Sequence, residues 1–84
     1  MIEVLFFGRM ADVMRERSLT LDLASAGKTL FALRDDLFKE AAEADQVSVN
    51  AIQMSVNQAV TRADQTLSDG DEVAFLPPFA GGQL

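Results

Sequence analysis

The 84-residue sequence lacks the side chains on which most small catalysts depend. It contains no cysteine and no histidine, which excludes disulfides, thiolate nucleophiles, thiolate metal sites and imidazole general bases. Tryptophan and tyrosine are also absent, so phenylalanine is the only aromatic residue. We therefore do not expect this chain to catalyse a reaction by itself.

Long hydrophobic runs and a basic face are missing as well. No apolar segment approaches the roughly 20 residues of a membrane span, and no charged region precedes an apolar stretch at the N-terminus. We therefore expect a cytoplasmic protein without a membrane partner. The formal net charge is −6 and the seven Lys and Arg are scattered, so nucleic-acid binding is not expected. The acidity favours a protein partner with a basic docking surface, although it can also serve solubility alone.

Strand patterns begin and end the sequence. Residues 1–7 form a β-branched and aromatic run that Gly8 closes, and residues 72–76 form a closing strand that Pro77 ends. The first run carries apolar side chains on both faces, which is typical of a central strand. We expect the first and last strands to lie side by side and parallel in the centre of one sheet.

Helix and strand patterns alternate between these two strands. Residues 9–15 predict a short helix, residues 19–23 a half-buried strand, and residues 47–56 a further strand. A long helix with Thr29 as its N-cap is expected to bury Leu30, Leu33 and Leu37, and to turn charged side chains such as Arg34 to water. Asn57-Gln58 predicts a tight turn, and Gly70 a left-handed turn position. The fold class is α+β, a mixed sheet covered by one long helix.

The last eight residues predict an arm. No ionisable side chain occurs from Ala74 onward, and Pro77-Pro78 favours extended backbone. Gly81-Gly82 has no Cβ atoms and lies about 16 Å beyond Pro77 in an extended chain. We divide the chain into a domain, 1–76, and an extended arm, 77–84. Such an arm suits a terminus that enters another protein's active site, although frayed termini also carry small residues.

Three segments carry a family resemblance: residues 4–8, residues 56–58 and, most specifically, residues 67–82. The chain resembles the small subunits of molybdopterin synthase, sulfur carriers with the ubiquitin-like β-grasp fold. The resemblance implies that an E1-like adenylating enzyme uses ATP to activate the carboxylate of Gly82. A sulfurtransferase or cysteine desulfurase would then supply sulfur to make a thiocarboxylate, and the carrier itself would bind no cofactor.

The resemblance also implies where partners bind. The loaded arm would enter the large synthase subunit, in a heterotetramer, and give sulfur to a pterin precursor of the molybdenum cofactor. Gly81 and Gly82 would be the reactive pair, and the partner-binding residues would be Phe7, Phe75, Pro77, Pro78 and Phe79. Strand parity turns Phe7 away from the helix-covered core, whereas Phe75 shares its face with Val73, which looks buried. The acidic positions predict no metal site, because Asp69-Gly70-Asp71 lacks the length and spacing of a calcium loop.

Gln83-Leu84 depart from the family pattern, because family members end at the second glycine. A peptide bond after Gly82 would prevent adenylation. Three explanations stay open: a protease removes the two residues, the carrier role is altered, or the extension is not native. Other functions also stay open, namely a ubiquitin-like protein modifier, a carrier for thiamine or tRNA thiolation, and a simple interaction domain.

Overall fold

A five-stranded mixed sheet forms the centre of the computed structural model, which describes residues 1–24 and 29–78. The spatial order is β2-β1-β5-β3-β4. β1 pairs antiparallel with β2 and parallel with β5, and β5 pairs antiparallel with β3. The two terminal strands are therefore central and parallel, which confirms the predicted β-grasp arrangement. The strands are β1 Ile2–Phe6, β2 Ser18–Leu21, β3 Gln53–Val56, β4 Ala59–Thr61 and β5 Glu72–Leu76.

The helix predicted after Thr29 covers the sheet but is interrupted at one residue. Two helices, α2 Leu30–Leu37 and α3 Lys39–Glu43, are separated by Phe38, whose φ of −100° and ψ of 12° leave the helical region. The Phe38 ring is fully buried against Phe6 and Phe75, so the interruption occurs where an aromatic side chain enters the core. The short helix α1 spans Arg9–Met14, and residues 47–52 contain a 3-10 turn, Val49–Ala51, where the sequence predicted strand.

The core lies between the helices and one face of the sheet. The inward residues of β1 alternate strictly with residues on the opposite face, as the period of a strand requires. The core cluster consists of Ile2, Val4, Phe6, Met10, Leu30, Leu33, Phe38, Ile52, Met54, Val56, Leu67, Val73 and Phe75.

The first turn of α2 is held by groups from a distant segment. Thr29 Oγ1 accepts a hydrogen bond from the Ala32 amide at 3.2 Å, which confirms the predicted N-cap. The amide of Leu30 donates to the Gln65 carbonyl at 2.9 Å, and the amide of Phe31 donates to Asp64 Oδ1 at 2.8 Å. These bonds satisfy amides that have no partner within a helix and fix α2 against residues 64–66.

Arg34 does not face water as expected, since its side chain is only 11% exposed. The guanidinium carbon lies 4.3 Å from the centre of the Phe31 ring, and Nε donates to Asp35 Oδ1 at 2.9 Å. The position of Arg34 four residues after Leu30 places it beside the buried stripe of α2. Ring stacking and the adjacent carboxylate allow the charge to be buried there.

A hydrogen-bonded frame positions the start of β5. Asn57 and Gln58 both have positive φ, 51° and 72°, as a two-residue turn of the predicted kind requires. Asn57 also bonds across to the next turn, since its Nδ2 donates to Asp71 Oδ1 at 2.9 Å and its Oδ1 accepts from the Glu72 amide at 3.0 Å. Asp71 Oδ2 accepts from the Ser68 amide at 2.7 Å, and Gly70 has the predicted left-handed φ of 90°.

None of the helices within residues 1–24 and 29–78 is long and apolar enough to cross a membrane.

Candidate functional site

The predicted arm begins where β5 leaves the sheet, and β5 is firmly held there. Phe75 is fully buried. Its ring stacks on Phe6 with a centroid distance of 6.0 Å, and it meets the edge of Phe38 at 5.3 Å. Aromatic contacts of this geometry add to the stabilisation from burial. The last strand before the arm is therefore anchored by an aromatic cluster from β1, β5 and the junction of α2 and α3.

The prediction that Phe75 belongs to an exposed apolar patch is wrong. Phe75 pairs in register with Phe6 and Met54, and all three side chains are buried under the helices. Its face is the one that it shares with Val73, which is also fully buried. Strand parity thus decides the position of Phe75, against the implication of the family resemblance.

Phe7 lies on the opposite side of the sheet, as parity predicts, and is 47% exposed. Its amide donates to the Phe75 carbonyl at 3.0 Å, which ties the end of β1 to the end of β5. A concavity of about 520 Å³ lies beside it. We call this concavity the Phe7 groove; it is lined by Leu5, Phe6, Phe7, Gly8, Ala11, Asp12 and Arg17.

Gly8, Pro77 and Pro78 form the arm root. Gly8 has a positive φ of 54°, and a Cβ atom on it would lie 3.2 Å from Pro77 Cγ. Pro77 is half-buried, whereas Pro78 is exposed and borders a second concavity of about 400 Å³ together with Arg9 and Gln46. Arg9 Nη2 donates to the Gln46 carbonyl at 2.8 Å. The close approach of Gly8 to Pro77 places the exit of the arm directly beside the Phe7 groove.

The reactive end of the predicted site lies outside the described residues. Phe79, Gly81 and Gly82 are in this part of the chain, so their roles stay predictions. Sequence reasoning did not assign Gly8 or Arg17 to the site. The glycine that closes the first strand was a usable signal for Gly8, whereas nothing in the sequence indicated that Arg17 would lie near Phe7.

The described part of the site offers an apolar surface bordered by charged side chains. Phe7, Pro77 and Pro78 supply apolar surface, and Arg9, Asp12 and Arg17 supply charge at its borders. No cluster of three or more carboxylates that could hold a metal ion occurs within residues 1–24 and 29–78. What this arrangement can do is bind a partner with a partly apolar surface and direct the following residues into it.

Comparisons with known proteins agree with this geometry. The model of the ThiS family matches residues 4–82, and the chain belongs to that family. The matched range includes Gly81 and Gly82, whereas Gln83 and Leu84 follow it.

Two curated relatives align over nearly the whole chain. The molybdopterin synthase sulfur carrier subunit of Escherichia coli K12 is 35% identical, with 98% of this chain and 100% of the relative covered. The subunit of the same name from Haemophilus influenzae is 28% identical over the same shares.

Solved structures show the same fold. SAMP1 from Haloferax volcanii superposes with a TM-score of 0.70 at 26% identity, covering 96% of this chain and 98% of that one. A chain in the complex of subunits 1 and 2 of molybdopterin-converting factor from Helicobacter pylori superposes with a TM-score of 0.63, also at 26% identity, covering 96% and 97%.

Proposed function

We propose that this chain is the sulfur-carrier subunit of a molybdopterin synthase. The observation that supports this most directly is the arm root. A central strand, held by buried aromatic rings, ends at Pro77 beside the exposed Phe7, and Gly81-Gly82 follows within five residues. The likeness to the Escherichia coli subunit, which extends over 98% of the chain, supports the same function.

Activation begins at the carboxylate of Gly82. An E1-like adenylating enzyme binds the arm and ATP, the carboxylate oxygen attacks the α-phosphorus, and pyrophosphate leaves. The outer sulfur of a persulfide on the sulfurtransferase or cysteine desulfurase then attacks the acyl-adenylate and displaces AMP. A thiol of that partner cleaves the resulting acyl disulfide, which releases the thiocarboxylate and leaves a disulfide on the partner. All acid, base and phosphate-binding groups come from the partners, which accords with a chain that has no cysteine or histidine. Because activation consumes ATP, we place it in the cytoplasm.

Delivery uses the arm root and the Phe7 groove. The large subunit binds the apolar surface of Phe7, Pro77 and Pro78, and the arm passes into its active site, where Phe79 occupies an apolar socket. The narrow Gly81-Gly82 backbone then reaches the pterin precursor. The Helicobacter pylori relative is found in a complex of the two subunits, and we propose the corresponding complex here, with two carriers on a dimer of large subunits.

Gly82 can be activated only after Gln83 and Leu84 are removed, which gives a direct test. A strain deficient in the small subunit is supplied with the 84-residue chain, a chain ending at Gly82 and a chain ending at Gly81. We expect the second version to restore molybdenum-cofactor synthesis and the third to fail, because only the second presents the correct carboxylate. Mass spectrometry of the native protein should show a chain ending at Gly82.

Recovery of activity with the chain that ends at Gly81 would contradict the proposal. Activity of a protein that retains all 84 residues in the cell would also contradict it, because Gly82 would then have no free carboxylate.

A protein-modifier function is the second candidate, because the similar Haloferax volcanii structure is that of a small archaeal modifier protein. In that case Gly82 would form isopeptide bonds with lysine side chains of other proteins. Immunoblotting of native cells distinguishes the two functions: a ladder of higher-mass conjugates that disappears when Gly82 is deleted supports the modifier, and its absence supports the sulfur carrier.

A further inference from the structure

A pocket beside β3 and β4 has a different chemical character from the Phe7 groove. It has a volume of about 330 Å³ and lies between α2 and the end of the sheet formed by β3 and β4. Two arginines, Arg34 and Arg62, line it, and no aspartate or glutamate does. In a chain with a formal net charge of −6, such a lining is unusual. We call this site the arginine pocket.

Arg34 is the more firmly held of the two cations. Its side chain is 11% exposed, and the ring of Phe31 supports the guanidinium plane at 4.3 Å. Asp35 occupies its Nε, so the Nη groups are the donors that Arg34 can offer to the pocket. A guanidinium that packing already orients loses little side-chain entropy when it binds a carboxylate.

Asp35 and Asp64, two carboxylates in this region, already have hydrogen-bond partners. Asp35 accepts the Nε bond at 2.9 Å, and its side chain is 59% exposed. Asp64 Oδ1 accepts from the amides of Phe31 and Gln65 at 2.8 and 3.0 Å. Neither carboxylate lines the pocket, so the groups that it offers to an external anion are the Nη groups of Arg34 and the exposed guanidinium of Arg62.

Uncharged groups complete the pocket in a way that suits a side chain with a carboxylate at its end. Asn50 and Gln53 provide amide groups, and Ile52 and Met54 provide buried apolar surface. Thr61 also lines the pocket, but its hydroxyl is hydrogen-bonded to the backbone of Ala63. Hydrogen-bond donors around an apolar floor match a carboxylate on a methylene stem.

The position of the arginine pocket relative to the arm indicates which molecule would supply a carboxylate ligand. Gln53 pairs in register with Leu76, the last residue of β5 before the arm root. Ile52 lines both the arginine pocket and the concavity that Pro78 borders. The two concavities are therefore adjacent, so a protein that receives the arm and covers Pro78 lies close to the arginine pocket.

We propose that the arginine pocket binds an aspartate or glutamate side chain of the large subunit that receives the arm. This inference rests on the proposed function, because it assigns the pocket to the same partner. This contact would set the orientation of docking. The net negative charge of the carrier attracts it to a basic surface in many orientations, whereas a carboxylate that binds Arg34 and Arg62 is compatible with only one orientation.

Charge reversal at the exposed cation tests the inference without disturbing the core. The full chain and its variants are titrated into the large subunit, and the Kd is measured by calorimetry. We expect Arg62→Glu to weaken binding by about tenfold or more, because it places like charges opposite each other. Arg62→Gln should weaken binding by up to about fivefold, the range of an exposed ion pair.

Lys39→Glu is the matched control, since Lys39 is exposed on α3, lies outside the arginine pocket and gives the same change in net charge. Its Kd should change by less than about twofold. If Lys39→Glu and Arg62→Glu weaken binding equally, the effect is one of net charge and the inference is overturned. If none of the variants differs from the original chain, the inference is overturned and the proposed function stands. If the original chain does not bind the large subunit, both fail.

Arg34→Gln provides a second measurement at the buried cation. We expect a loss of affinity of about tenfold or more, as for a hydrogen bond to a charged group, with unfolding monitored to confirm that the variant is folded. If Arg34→Gln proves unstable, the variants of the exposed Arg62 alone test whether the arginine pocket binds a carboxylate of the large subunit.

A small anion is the competing ligand. Inorganic phosphate is titrated into the full chain alone while the amide signals of Gln53 and Thr61 are followed by NMR. We expect no saturable change. A saturable change that Arg62→Gln abolishes would show a site for small oxyanions and would overturn the assignment to a carboxylate of the partner.

Discussion

Phe7, which directly follows β1, and Phe75, on the neighbouring strand β5, have identical side chains in opposite environments. Their backbones are joined by a hydrogen bond of 3.0 Å between the Phe7 amide and the Phe75 carbonyl. Phe75 is fully buried, whereas Phe7 is 47% exposed. One position of offset along paired strands is enough to place one ring in the core and the other on the surface, because side chains alternate across a strand.

The difference in exposure between Phe7 and Phe75 indicates that the two faces of the sheet have different roles. The inner face, through Phe75, holds β5 and so fixes the place where the arm begins. The outer face, through Phe7, offers apolar surface beside the arm root. A sulfur carrier needs a buried ring and an exposed ring. The buried ring stabilises the fold and so holds the arm in a fixed position, and the exposed ring is available for reversible binding to a partner.

The largest effect on stability is expected at the inner ring. Phe75→Ala should lower the free energy of unfolding by about 3–5 kcal/mol, because it removes a large buried side chain and leaves a cavity between Phe6 and Phe38. Chemical denaturation measures this loss. Phe75→Leu is the matched control and should cost clearly less, because it keeps most of the volume. Equal losses for the two variants would show that the aromatic cluster, rather than filled volume, holds β5.

An intermediate effect is expected at the other end of β5. Asp71 accepts hydrogen bonds from the Ser68 amide and from Asn57 Nδ2, so Asp71→Ala should cost about 1–2 kcal/mol of unfolding free energy. Ser68→Ala keeps the amide donor and should change stability by less than about 0.5 kcal/mol. If Asp71→Ala is as mild as Ser68→Ala, β5 is held by its aromatic end alone.

The smallest effect on stability is expected at the outer ring. Phe7→Ala should change the free energy of unfolding by less than about 1 kcal/mol, because the ring is half exposed, and should weaken binding to the large subunit by about tenfold, as for an aromatic anchor in an interface. Val60→Ala is the control: Val60 is 65% exposed on β4, at the edge of the sheet. If Phe7→Ala destabilises the fold but leaves the affinity unchanged, the division of tasks between the faces is wrong.

Much of the fold could be predicted from local patterns. The strand at residues 2–6, the helix N-cap at Thr29 and the Asn57-Gln58 turn all depend on neighbours in sequence, and all are confirmed. The interruption at Phe38 could not be predicted, because the ring that fills the core there is set by contacts with β1 and β5. The same holds for Arg34, whose charge predicted exposure but whose neighbours Phe31 and Asp35 allow burial.

The candidate site was predicted only in part. Phe7 and Pro78 are exposed and Pro77 is half-buried, whereas Phe75 lies in the core; the partner-binding roles of the first three stay predictions. Strand parity alone left the position of Phe75 ambiguous, because it shares a face with Val73, and the family resemblance implied exposure. The structure places Phe75 in the core with Val73. Arg62 and Arg34 are 28 positions apart in the sequence and line one pocket, which no local pattern could indicate.

The sequence by itself determined the elements whose causes are local: alternating strands, the turn glycine and asparagine, the prolines that end β5, and an uncharged tail with paired glycines. Only the tertiary structure decided which surfaces these elements share. It placed Gly8 against Pro77 and Asp71 against Asn57, and it brought Arg34 and Arg62 to one pocket. The pairing of strands that are distant in sequence brings such residues together, and the packing of the core selects which face each side chain takes.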